Sequence, residues 1–157
     1  MMTHPDITDL RPPLISSLPP GVREWLAAFA LAVRGQDYES GRRLFSEAII
    51  SFGTHEHQIT GLDLLVERQW KRVWGVTRGF QFDLSLANGN GGGDIAWVAL
   101  PWHSQGCSPT GEWFDRFGRA TLILERENGD WKAVHSHFSR QPEPLGHPAA
   151  SVPALPG

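Results

Sequence analysis

The sequence predicts an α+β domain in which three N-terminal helices pack against one face of a curved antiparallel sheet. Three observations carry this. Apolar residues recur at helical spacing from Val22 to Val33 and again from Leu62 to Trp74, the period drops to two after Gly75, and an Asn128-Gly129 pair joins the last two strand-like runs. Helices followed by a meander of strands are the pattern of segregated α+β architecture.

The first helix is carried by Val22, Trp25, Leu26, Phe29 and Val33, one face of a 3.6-residue period, and Gly35 stands where a left-handed C-terminal cap is favoured. Asp37 predicts a short second helix, because its carboxylate accepts from the free N–H groups of a first turn; Tyr38, Leu44 and Phe45 then face inward. Ala48 to Gly53 has the β-branched richness of a strand. Thr60 with Asp63 three residues on resembles a capping box and opens a third helix over Leu62, Leu65, Val66, Trp70, Val73 and Trp74, ended by Gly75.

Beyond Gly75, Phe80, Phe82, Leu84 and Leu86 alternate with polar residues, which predicts a strand buried on one face. Asn88 to Gly93 reads as a flexible turn, and so does Ser104 to Gly111. Further strands are expected at 95–102, 113–125 and 131–139. Residues 1–20 and 141–157 each hold five prolines and no apolar period, so they read as flexible arms around a body at 21–140 that folds without them.

Composition excludes several classes of function. The 157 residues are 40% hydrophobic with seven Trp and eight Phe, enough for one core. A formal charge of −3 lacks the basic footprint of a nucleic-acid or anionic-lipid binder. Cys107 is the only cysteine, so no intrachain disulfide and no thiolate-pair metal site forms, which fits a reducing compartment. The apolar stretch from Trp25 to Val33 is far short of the ~20 residues of a membrane span, and no secretory leader is evident at Met1. The expectation is a cytoplasmic protein.

Two runs of wording stand out: Gly118-Arg119-Ala120-Thr121-Leu122-Ile123-Leu124, and Asn128-Gly129-Asp130-Trp131-Lys132-Ala133-Val134-His135-Ser136-His137-Phe138-Ser139. They resemble the ending of SnoaL-like proteins of the NTF2-like superfamily, and Gly35-Gln36-Asp37, Leu44-Phe45-Ser46, Phe52-Gly53-Thr54 and Gly93-Asp94-Ile95 agree in order. The resemblance covers about residues 21–140. It implies a cone of strongly curved antiparallel sheet wrapped around helices, enclosing an apolar pocket and often dimeric. It implies no single activity, since isomerases, hydrolases, cyclases, transport factors and kinase assembly domains share the fold. In the isomerase branch the base is an Asp and the oxyanion donor a Tyr. The matching positions here are Phe52 and Phe29, which neither take nor give a proton, so steroid isomerisation by that mechanism is not expected.

Other chemistry is weakly signalled. His55-x-His57 and His135-x-His137, with His103, offer imidazoles to a metal, but the plainer reading is two solvated loop residues and two sheet residues, and no metal or cofactor is expected. Ser139 lacks a nucleophile elbow, and Cys107 sits four residues from His103 in an ordinary turn. The aromatics say more. They exceed what a body of this size needs for packing, so some should line a cavity or interface, with indole N–H groups orienting a ligand.

With the family resemblance added, the expected pocket is Phe29, Tyr38, Phe52, Trp70, Trp74, Leu100, Trp102, His103, Leu122 and Phe138, binding a small apolar or aromatic molecule. On the last strand alternation separates Val134, Ser136 and Phe138 from Trp131, His135 and His137, and the resemblance to kinase assembly domains implies that the first set faces the pocket and the second faces out. Trp97, Trp113 or Trp131 exposed there would support a homodimer. The competing expectation is a non-catalytic assembly module, favoured by a narrow cavity packed with Trp74 and Trp102. Converging polar groups would favour the ligand.

Overall fold

Helix α1 (Val22–Gly35) buries Val22, Trp25, Leu26, Phe29 and Val33, the positions its periodicity marks. Its left-handed cap is Gln36, one residue after the expected Gly35, with its N–H on the Ala32 and Val33 carbonyls. Helix α2 (Tyr38–Arg42) starts as expected: Asp37 accepts from the Ser40 N–H (3.1 Å) and hydroxyl (2.6 Å), which holds its carboxyl below the ordinary carboxylate value. The structure is a computed structural model, in which residues 18–146 are described. Of the arms expected at 1–20 and 141–157, residues 1–17 and 147–157 lie outside them.

Strand β1 (Phe45–Phe52) starts three residues earlier than expected and pairs with the short β2 (Ile59–Thr60). A helical segment, α3, then runs from Leu62 to Val76, but it is not one regular helix. It is α over Leu62–Leu65, π over Val66–Trp70, α over Lys71–Val73 and 3₁₀ over Trp74–Val76. The capping box does not form either. Gly61, at φ 100°, precedes the first turn without a side-chain cap, and Asp63 is drawn off into an ion pair with Arg42. Regular helix is thus scarcer than three intact helices, although the α+β class holds. Among the described residues no helix is long and apolar enough to cross a membrane.

Five strands complete a curved, unclosed sheet: β3 (Thr77–Phe82), β4 (Asn88–Gly92), β5 (Ile95–Cys107), β6 (Trp113–Glu127) and β7 (Asp130–Arg140). The order is β2-β1-β7-β6-β5-β3, with β4 also on β5. One pair departs from the expected antiparallel sheet, because β1 runs parallel to β7. Residues 95–107 and 113–127 form one long hairpin, so the first half of Ser104–Gly111 is strand and only its tip is turn. The Asn128-Gly129 turn has both residues at positive φ, 53° and 86°, the type I′ geometry that matches strand twist.

Two further expectations are corrected. The alternation through Leu86 stops at Phe82: a 3₁₀ turn over Leu84–Leu86 leaves Leu86 exposed. The glycine run is strand, not a loose turn, because β4 pairs with Ile95–Ala99 of β5. Its glycines leave room for a neighbour. A Cβ on Gly89 would lie 2.2 Å from the Leu18 side chain, and one on Gly91 would lie 2.7 Å from that of Pro19. Leu18 to Pro20, assigned from sequence to the N-terminal arm, therefore cover this edge, and the Trp131 indole N–H donates to the Pro20 carbonyl (2.8 Å).

Candidate functional site

The cavity lies between α1, α3 and the inner face of the sheet and measures about 60 Å³. Strict alternation on the β5–β6 hairpin supplies its floor. Trp102, Ser104 and Gly106 face inward from β5, and Arg116 and Gly118 from β6. A break in alternation supplies one wall. Gly79, at φ 65°, shifts the β3 register, so that Thr77 and Phe80 both turn inward.

The apolar wall is a set of aromatic rings around Phe29, whose centroid lies between 5.3 and 6.2 Å from those of seven others, including Phe45, Trp70, Trp74, Phe80 and Phe138. Trp70 and Trp74 stack at 4.6 Å. The polar side has a different origin. Ser51 on β1 and Ser136 on β7 share a buried hydrogen bond of 2.8 Å. The π stretch of α3 buries the consecutive residues Gln69 and Trp70, both of which line the cavity. Buried Ser104 Oγ, Gln69 Oε1 and Arg116 Nε have no hydrogen-bond partner.

Glycines make space for these groups. A Cβ on Gly106 would stand 2.7 Å from Arg116 Nε, and one on Gly118 would stand 2.2 Å from the Trp102 ring. The sequence marked Gly118 only as the start of a family motif and placed Ser104 and Gly106 in a turn; Arg116 and Gln69 carried no expectation. An inward Arg on an alternating strand, opposite a Ser and near a Gly, was the signal available.

The expected pocket residues divide. Phe29, Trp70, Trp74, Trp102 and Phe138 line the cavity. Leu100 and Leu122 face inward but belong to the solid core beside it, 4% and 0% exposed. Tyr38 stacks on the outside of Trp74 (5.2 Å) and borders a separate surface groove. Phe52 lies at the end of β1, edge-on to His135 and His137 at 5.0 and 5.4 Å, away from the cavity. His103 is exposed, because its neighbour Trp102 takes the inward position. The Trp102 indole N–H is committed to the Arg119 carbonyl (3.2 Å), so this ring offers a ligand its face alone.

On β7, Ser136 faces inward as assigned, and Phe138 lines the cavity. Trp131 does not take the outer face: it is 6% exposed and packed in the core. The reason is a bulge, since Ile123 pairs with His135 and Leu124 with Ala133, which leaves Val134 as an extra residue that inverts the alternation. His135 has Nδ1 at 2.8 Å from the Ile50 carbonyl. Among the described residues no three His, Cys, Asp or Glu side chains gather as a metal site.

The same architecture recurs in solved structures. An NTF2-like superfamily protein from Salmonella enterica serovar Typhimurium LT2 superposes with a TM-score of 0.69 at 17% identity, over 83% of this chain and 94% of that one. A ketosteroid isomerase-like protein from Erwinia carotovora atroseptica gives 0.66 at 14%, over 78% and 95%. A putative calcium/calmodulin dependent protein kinase II association domain from Xanthomonas campestris gives 0.63 at 16%, over 78% and 84%. At such identities the likeness is one of fold. None of the curated proteins matches the chain. The SnoaL-like domain family matches residues 22–144, nearly all of the described structure from the start of α1 to beyond β7, and the chain belongs to that family.

Proposed function

We propose that this protein binds a compact apolar or aromatic molecule in the cavity under α1 and α3. One observation carries the reading: three buried polar atoms without partners, on Ser104, Gln69 and Arg116, line a cavity otherwise walled by aromatic rings. Buried polar groups are nearly always hydrogen-bonded, and leaving one unpaired costs about 1–3 kcal/mol. A core selected for packing alone would place apolar side chains there. The enclosed volume of about 60 Å³ is below the ~150 Å³ of a cavity that takes benzene, so it excludes a fused polycycle and admits a single ring only with movement of the lining side chains.

Titration with a one-ring apolar probe, read by tryptophan fluorescence, tests this. Trp102→Ala should weaken binding about tenfold, in line with the area its ring contributes. His135→Ala, on the outer face, should leave binding unchanged. Absence of saturable binding to the wild-type protein, or a loss confined to His135→Ala, refutes the reading.

A second reading, assembly, is the one that a narrow cavity walled by Trp74 and Trp102 favours, and the cavity has that form. The outer face of the β5–β6 hairpin exposes Ile95, Trp97, Trp113 and Phe117, at 53, 42, 39 and 50%. Such a row of large apolar residues fits a homodimer in the cytoplasm, formed sheet to sheet. Light scattering should then give twice 17.4 kDa, and Trp97→Glu should halve that mass.

A further inference from the structure

Arg116 is 8% exposed, and among the described residues its guanidinium has no carboxylate partner; the ion pairs present are Arg42–Asp63 and Lys71–Glu67, neither at the cavity. One terminal nitrogen donates to the Thr77 hydroxyl, whose own hydrogen goes to the Val73 carbonyl at 2.6 Å. That bond anchors the guanidinium without neutralising it. Its Nε–H is left unsatisfied, and so is the hydroxyl of Ser104, the residue directly opposite Arg116 in the β5–β6 register. Gly106 is what allows this position, since any Cβ there would meet the guanidinium.

Burial, with repulsion from Arg140 added, pushes Arg116 below its ordinary value. An arginine nevertheless keeps its proton throughout the neutral range. Burying such a charge without a counter-ion is costly, and the usual remedies are an acidic side chain or a bound anion. No acidic residue lines this cavity.

We infer that the cavity takes a compact aromatic carboxylate, its anionic end on Arg116 Nε and Ser104 Oγ and its ring against Phe29, Trp74, Phe80 and Trp102. This rests on the ligand-binding reading above and narrows it to a chemical class. A carboxylate is favoured over a phosphate because, among the described residues, Arg116 is the one cation lining the site, which balances a single negative charge, whereas Arg140, near enough to repel it, lies outside the lining. The aromatic rings opposite require an apolar body, which inorganic anions lack.

The test is a calorimetric titration of the full chain with benzoate, its neutral isostere benzamide, and acetate. Benzoate is expected to bind about tenfold or more tighter than benzamide, with acetate weaker than both. In Arg116→Met the preference for benzoate over benzamide should vanish while benzamide affinity stays within about twofold. Without ligand this variant should melt at or above the wild-type temperature, because an uncompensated buried charge has been removed. Arg116→Gln repeats the comparison with a polar side chain. Equal binding of benzoate and benzamide overturns the carboxylate inference and leaves the cavity reading standing. Acetate binding as tightly as benzoate overturns the aromatic part. A collapse in the melting temperature of both variants shows the guanidinium to be structural and also overturns it. Failure of all three probes, together with the apolar probe, removes both readings.

Discussion

Along the β5–β6 hairpin one alternation of residues builds two different interiors. At the end near β4 the inward positions are Ala96, Val98 and Leu100 facing Ala120, Leu122 and Leu124, all 4% exposed or less. At the end near β3 they are Trp102, Ser104 and Gly106 facing Arg116 and Gly118. The first half is solid core. The second half holds polar atoms that nothing in the protein satisfies, beside glycines that leave room for bulky neighbours. Since backbone geometry and pairing are shared, the difference lies in the side chains alone. It teaches that the sheet is a neutral frame on which stability and binding occupy separate stretches.

The comparison breaks first in the aliphatic half. Leu122→Ala empties a fully buried site and should cost about 2–5 kcal/mol, read from urea unfolding; a cost under 1 kcal/mol would mean that this half is not close-packed. Gly118→Ala, at the boundary, sets a Cβ 2.2 Å from both the Trp102 ring and the Ser139 carbonyl. Its cost should be about 1–3 kcal/mol, the range of overpacked cores, with loss of ligand binding as the indole shifts.

Within the polar half two serines should behave oppositely. Ser51→Ala strands the Ser136 hydroxyl that now shares its hydrogen bond, and should destabilise by about 1 kcal/mol. Ser104→Ala removes a buried hydroxyl that has no partner. It should leave stability unchanged or slightly raised, while weakening any ligand that uses it. If Ser104→Ala destabilises as much as Ser51→Ala, that hydroxyl is already satisfied and the contrast between the two halves fails.

Part of this contrast is legible in the sequence. The alternation from Ile95 onward marks inner and outer faces, and Asn128-Gly129 marks the turn that pins β6 to β7. Phe29, Trp70, Trp74, Trp102 and Phe138 stand out as large rings at inward positions. Arg116 does not, because a charged residue in a strand reads as solvent-facing until its parity is counted against Gly118 and Ala120. His103 and Phe52 misled for a related reason: chemistry or family position suggested them, while strand geometry turns them outward.

By itself, then, the sequence determined the α+β class, the helical face of α1, the Asp37 cap and the Asn128-Gly129 hairpin, all of which follow from interactions within a few residues or from a period of 2 or 3.6. Tertiary structure decided the rest. The bulge at Val134 that turns Trp131 inward, the parallel union of β1 with β7, the packing of Leu18 on Gly89 and the burial of Arg116 over Gly106 each depend on residues distant in the chain or on a neighbouring strand. A bulge changes facing without changing composition. A glycine becomes a cradle only when another side chain is brought to it, and that second partner is chosen by the fold.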